Sequence, residues 1–469
     1  MGFWLLPGYP WLRSALVVGA IGIGVAVGSP AAAATSLELY EQGDIAGARS
    51  TFAQELAQAE AGGDRASLWQ QRMFGGWLEE SLGNPRRSLE HSNAALAVAL
   101  ALSDEFRVGR SLAWLGWSYA SLGLYELSLA FFDRAIEVGA PGDEIRHVAV
   151  WGLATQEKGW VLARLGRLAE GRRLLERTTD FARRNGIDTG VAEGGAHLAE
   201  IALLEGRLGS AEQLAGEALR AAERCACRPA NTARAWVVVA RAALARAALD
   251  ARFAGEAREK AQSAVAFAER IGDQRDLAEA RLLLARSLPE ADVERRLTLA
   301  RDALNALDAS GADLRGRART ELARVLADSG DRELARLYLE AGLEISQRLF
   351  RSIDAAYQLS DLAELDFADA QLAQELERRV KAARDARRLG LLPLALDNES
   401  ALGAALQQEG RPALAREWIE RALATLDEVA QDADDEAQRL ALASREAELR
   451  ARLAQVRLAL SGPPDAGAP

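Results

Sequence analysis

The sequence predicts an all-α fold, a solenoid of antiparallel helix pairs stacked into one elongated array. Three observations carry this reading. The chain has 469 residues, more than one ordinary hydrophobic core accommodates. Its composition is that of helices, with Ala, Leu, Arg and Glu dominant, 49% of residues hydrophobic and only 12 prolines to interrupt them. Glycines also recur near a 40-residue period: Gly43, Gly83 and Gly123 are 40 apart, Gly166 and Gly206 follow at 43 and 40, and Gly330 and Gly410 fall in phase later.

The same composition excludes several functions. With His 3, Cys 2 and Met 2, the side chains that usually bind transition metals or run nucleophile and base chemistry are scarce. No Ser/His/Asp order, P-loop or HExxH pattern is present, so no catalytic residue, cofactor or metal is expected. Lys+Arg 57 against Asp+Glu 68 gives a net charge of −11, which leaves no whole-chain basic footprint for nucleic acid. Adjacent arginines such as Arg172-Arg173, Arg183-Arg184 and Arg387-Arg388 lie among helix formers and read as solvated faces with nearby glutamates.

Residues 1–34 stand apart from the array. Arg13 precedes an uncharged apolar run from Ala15 to Val27, then Gly28-Ser29-Pro30 and a small-residue stretch in which Ala32 and Ala34 fit the A-x-A pattern of a secretory signal peptide. Cleavage is expected after Ala34. The alternative is an uncleaved inner-membrane anchor, because the uncharged stretch from Ser14 to Leu37 approaches the roughly 20 residues a bilayer requires. Either way the body is exported, to the periplasm or beyond.

From Thr35 onward each phased glycine separates two helical patterns. The clearest copy reads Leu115-Gly116, Tyr119, Gly123, Tyr125, Ser128, Phe132 and Ala135. Small residues at Gly116 and Ser128 let two helices approach, Tyr119 and Phe132 fill the space between pairs, and Gly123 permits the tight turn. These residue types at these spacings resemble the tetratricopeptide repeat, and the resemblance implies a right-handed superhelix with a binding role. Further copies run through Leu162, Gly166, Leu168, Gly171 and Leu175, through Ala202, Gly206, Leu208, Ala211 and Ala215, and through Leu402-Gly403, Leu406, Gly410, Ala415, Ile419 and Ala422.

Weaker copies lie between. Around Ala257, Ala261 and Ala264 the turn glycine is replaced by Arg252, around Leu365-Asp366-Phe367 and Ala370 the helix phase survives without it, and Leu288-Pro289-Glu290 marks another divergent turn. Gly63-Asp64, Gly186-Ile187-Asp188 and Gly272-Asp273 pair a helix-terminating glycine with an aspartate expected to cap the next helix. About ten repeats thus fill residues 35–434, in units near 40 residues that resemble the long-repeat branch of the family.

Residues 435–460 carry Leu442, Leu449, Leu453, Val456 and Leu460 as a stripe in a charged helix, and residues 461–469 are a Pro/Gly/Ala tail expected to be disordered. The stripe reads as a cap on the last repeat, with a homodimerisation helix as the alternative.

Six tryptophans fall between Trp69 and Trp160. Three occupy equivalent positions: Gly76-Trp77, Gly116-Trp117 and Gly159-Trp160 each precede a Leu-Gly turn by the same gap. Trp77, Trp117 and Trp160 therefore form either a ladder along the concave face, with Arg110 and Arg164 nearby to pair with carboxylates, or a column of ordinary core between repeats. Cys225 and Cys227 leave a local disulfide open, although a two-residue separation makes a tight loop. His197, flanked by Glu193 and Glu200 on one helix face, has the makings of a metal ligand, but His91 and His147 lie in other repeats, so it reads as a lone capped or paired histidine. The expected function is an exported, non-enzymatic scaffold binding a protein or peptide in its concave groove; the alternative is a module sensing a small molecule or glycan.

Overall fold

A computed structural model describes residues 34–139, 145–225, 229–310, 315–349 and 351–461. Among them are 21 α-helices and no strands. Ten antiparallel pairs follow one another: α1 (Ser36–Glu41) with α2 (Ile45–Gly62), α3 (Arg65–Ser81) with α4 (Pro85–Ala101), α5 (Glu105–Ser121) with α6 (Tyr125–Val138), α7 (Ile145–Arg164) with α8 (Leu168–Arg184), and α9 (Asp188–Leu204) with α10 (Leu208–Arg224). The second half continues with α11 (Pro229–Leu249) and α12 (Ala254–Ile271), α13 (Gln274–Ser287) and α14 (Val293–Ser310), α15 (Arg315–Asp328) and α16 (Arg332–Arg348), α17 (Ser352–Ala368) and α18 (Leu372–Leu389), and α19 (Leu392–Gln408) and α20 (Pro412–Gln431), before the final α21 (Glu436–Ser461). The expected signal segment and the terminal tail beyond Ser461 lie outside the described residues, as does Cys227; Cys225, half-buried, ends α10. No described helix is long and apolar enough to cross a membrane.

Packing within a pair follows from the small residues. A Cβ on Gly116 would stand 2.7 Å from the Phe132 ring, which packs into the space the glycine leaves, and one on Gly171 would stand 2.4 Å from the carbonyl of Gly159, where α7 and α8 touch backbone to backbone. Phe132 is fully buried and Tyr119 stacks on Phe131 at 5.1 Å. Gly123 turns between α5 and α6 with φ +76°, where a side chain would be strained. In the ninth pair Ala370 takes φ +56° in the same slot, and in the sixth the turn is a short 3-10 helix, Ala251–Phe253, capped by Asp250.

The Gly-Asp junctions differ in detail. Asp64 and Asp273 cap α3 and α13, accepting from the amides of Ala66 and Asp276. Asp188 does not cap: it is the first residue of α9 and pairs with Arg224 at 2.7 Å instead. In α21, Leu449, Leu453 and Val456 are buried, with Leu442 packed against them, on Leu406, Ile419 and Leu426 of α19 and α20. These four stripe residues therefore pack within their own chain as a cap on the last repeat, while Leu460 at the end of the stripe is exposed.

Successive turns of the superhelix touch, which a linear repeat array does not require. Ile271 at the end of α12 packs in one cluster with Tyr40 and Ile45 of the first pair. Leu389 and Leu391, flanking the turn after α18, share a cluster with Leu168 of α8 and Ala163 of α7. Asp434 accepts from the amides of Gly209 and Ser210 at 2.7 Å each. Each contact joins a repeat to the one five places further on or to the cap beyond it, so one superhelical turn takes five repeats. The expected concave groove is thereby narrowed into an axial lumen, whose cavities are lined by the first helices of the first nine pairs.

Candidate functional site

The turn glycine sets which residues face this lumen. The residue six places before it is Trp77, Trp117, Trp160 and Glu200 in pairs two to five, and Arg324 in pair eight. Three places earlier, one helical turn back, stand Trp114, Glu157, His197 and Glu321 on the same face, whereas Phe74 of pair two packs on Tyr40 and Phe52 instead. The ladder of Trp77, Trp117 and Trp160 is thus one row of a two-row wall. Sequence reading found the first row through its tryptophans and missed the second, whose register is the same but whose residue types differ.

The two rows interlock. Trp77 meets Trp114 edge to face at 5.7 Å, Trp114 stacks on Trp117 at 6.3 Å, Trp117 lies 5.4 Å from Trp160, and Trp160 lies 5.5 Å from His197. Trp77 and Trp160 are buried and Trp117 is half-buried. Trp77 and Trp160 belong to hydrophobic core clusters against which Trp117 packs, and all three also line the cavities of the lumen, so the ladder is packed core with one face on the lumen. His197 sits with Nε2 at 3.8 Å from Glu157 of the preceding repeat.

Two cavities meet at His197. The first, about 110 Å³, is walled by Tyr40, Trp77, Trp114 and Trp117 and edged by carboxyl groups including Glu157 and Glu193. The second, about 310 Å³, has Trp160 and Tyr357 beside a dense set of charged groups. Arg164 lines the second cavity, whereas Arg110 lines neither.

The charged groups form a ladder that climbs one residue per repeat. Glu200 pairs with Arg241 at 2.7 Å, Arg241 with Glu279, Glu279 with Arg317 at 3.3 Å, Arg317 with Asp354 at 3.6 Å, and Asp354 with Arg164 at 3.4 Å. That last contact returns from the ninth repeat to the fourth and closes the turn. Arg164, expected to await a ligand carboxylate, is thus paired inside the protein. Burial pushes the Glu200 carboxyl up, but its positive neighbours, Arg241 foremost, outweigh this and bring its pKa down to about 2. Burial raises the Tyr357 phenol to about 12.

Asp273 behaves oppositely. It caps α13 while buried at the edge of the first cavity, and burial followed by repulsion from Asp276 raises its pKa from 3.8 to about 8. The folded chain therefore keeps a proton that the unfolded chain releases near pH 4. This contribution to stability is complete below about pH 4, declines as pH rises toward 8, and is absent above it. Asp273→Asn preserves a cap acceptor and abolishes that titration. Its melting temperature is expected to fall less between pH 5 and pH 8 than that of the parent; equal declines in the two proteins would remove Asp273 as the source.

Residues 109–138, spanning most of α5 and all of α6, match the tetratricopeptide repeat family. No curated protein matches the sequence. Among solved structures, a Rap protein complexed with competence and sporulation factor has a TM-score of 0.48 at 11% identity, covering 75% of this chain and 100% of its own. The apo form of RapI gives 0.43 at 14% identity over 60% of this chain and 99% of its own, and the human IFIT1 dimer with PPP-AAAA gives 0.41 at 17% over 83% and 88%. These likenesses extend no further than helical-repeat architecture. With one repeat matched by sequence and ten antiparallel pairs stacked in a superhelix, the chain is a tetratricopeptide-like helical-repeat solenoid.

Proposed function

We propose that this protein is an exported, non-catalytic scaffold that recognises a partner protein by taking an extended segment of it into the axial lumen. The observation that carries the reading is the wall of Trp77, Trp114, Trp117 and Trp160, whose rings contact one another in sequence along the lumen. The indole Nε1 groups of Trp117 and Trp160 are buried with no hydrogen-bond partner in the protein. Buried donors normally find one, so a backbone carbonyl of a bound segment suits them. The ladder of paired charges supplies a rigid second wall rather than free acid–base groups. Export rests on the layout around Arg13, Ala32 and Ala34, and places the scaffold in the periplasm or outside the cell.

The size of the cavities favours one further reading, a sensor of a small molecule or glycan, since about 110 and 310 Å³ accommodate a compact ligand or a few peptide residues but no folded domain. Trp117→Phe distinguishes binding from packing because it keeps an aromatic ring and deletes the N–H. The variant is expected to retain the parent's melting temperature within a few degrees and to bind an immobilised library of extended peptides about tenfold more weakly. Binding unchanged by the substitution would rule out the Trp117 N–H as a contact. Quenching of tryptophan fluorescence by oligosaccharides but by no peptide would replace the peptide reading with the sensor.

A further inference from the structure

The first cavity sets a buried carboxyl group, Glu157, in one wall with two guanidiniums, Arg234 and Arg275. Its two guanidiniums are committed: Arg275 pairs with Glu80 at 3.1 Å and lies over the Trp117 ring at 5.4 Å, and Arg234 pairs with Asp276 at 2.7 Å and reaches Glu279 at 3.7 Å. Glu157 is not served by either of them. It comes from α7, is only 6% exposed, and its Oε2 has no hydrogen-bond partner in the protein. Its near neighbour is His197, at 3.8 Å from Oε1, too long for a hydrogen bond. A half-exposed Glu193 lines the same cavity from α9.

A buried carboxylate with an unserved oxygen is costly unless something neutralises it. Here it opens onto a space whose walls are Trp77, Trp114 and Trp117, rings whose faces attract cations. The unpartnered Trp117 N–H lies in the same wall and suits a carbonyl beside such a cation. We infer that the first cavity is a binding site for an organic ammonium group, held by Glu157 between the tryptophan walls. This rests on the reading of the lumen as the binding surface, and names the chemistry of what enters it. The ammonium can belong to a peptide, as its amino terminus or a lysine side chain, or to a free alkylamine.

The test is calorimetric titration of the exported chain, with tryptophan fluorescence read in parallel. The probes are trilysine, butane-1,4-diamine, the uncharged N-acetyl-trialanine amide, and succinate. Trilysine or the diamine is expected to bind and to perturb the fluorescence, and Glu157→Gln to weaken that binding at least about tenfold with the melting temperature retained. Tighter binding of trilysine assigns a peptide ammonium, and tighter binding of the diamine a free amine; both support the site. Should Glu157→Gln fail to fold, Glu193→Gln on the rim is expected to weaken the same probes, and unchanged affinity there would overturn the assignment. If the uncharged peptide or succinate binds as well as the cations, the ammonium site is wrong while the lumen remains a binding surface. If none of the four probes binds or changes the fluorescence, the ammonium site is overturned, and retention of extended uncharged or acidic peptides by the immobilised library then decides whether the lumen reading survives.

Discussion

Asp354→Ala is expected to cost about 3–5 kcal/mol of stability, the range for removing one partner of a buried ion pair. Asp354 is 7% exposed and lies among three guanidiniums: Arg351 at 2.8 Å, Arg164 at 3.4 Å and Arg317 at 3.6 Å. Arg351 is almost wholly buried, so without the carboxylate its charge has little access to water. The substitution also cuts the one rung of the lumen ladder that joins the ninth repeat to the fourth. Urea titration of the variant should show the loss, and hydrogen exchange should place the loosening in α7 and α17 together. A suitable comparison is Arg348→Ala, which removes an exposed pair with Glu344 and is expected to cost under about 1 kcal/mol. Equal effects of the two substitutions would mean that turn closure contributes nothing.

Gly166→Ala is the second large expected effect, about 2–5 kcal/mol. Part of it is local: Gly166 has φ +85°, and an L-residue there costs about 1–2 kcal/mol. The remainder is tertiary, because the new Cβ would stand 2.2 Å from Cδ2 of Leu389 in the next superhelical turn, and overpacking of this kind typically costs about 1–3 kcal/mol. Gly410→Ala separates the two contributions. It has φ +67° with nothing within 4 Å of the added atom, so only the local cost applies. A Gly166 variant no less stable than the Gly410 variant would show that the turns do not bear on one another in solution.

The contrast between these two glycines marks the boundary of what was legible in the chain. Both announce the same turn, through the same residue at the same phase of a 40-residue period, because an αL turn between short helices is a local demand that glycine meets best. Helix identity and pairing are likewise local. The small residues at Gly116, Gly159 and Gly171 had to face a neighbouring helix, and the periodic glycines placed the turns of most repeats. Where the glycine was absent, at Ala370 and near Arg252, the helical phase on either side still located the turn.

The candidate site divides along the same line. That Trp77, Trp117 and Trp160 share one helical position followed from their distance to the next glycine. That Glu157 and His197 stand beside them follows from the same register, but no shared residue type signalled it. The ionic ladder from Glu200 to Arg164 was invisible because its members are about 40 residues apart and alternate in sign, so each looks like an ordinary surface charge.

Narrowing of the groove into a lumen belongs wholly to the tertiary structure. The number of repeats per superhelical turn is set by small rotations between successive pairs, accumulated over five of them, and no single residue encodes that sum. The repeats, their turns and the face presented by each first helix were written in the sequence, since each depends on neighbours within about 40 residues. Whether that face would be an open groove or a narrow, charged and aromatic lumen was decided only when Asp354 met Arg164 and Leu389 met Gly166, across roughly 190 and 220 residues of chain.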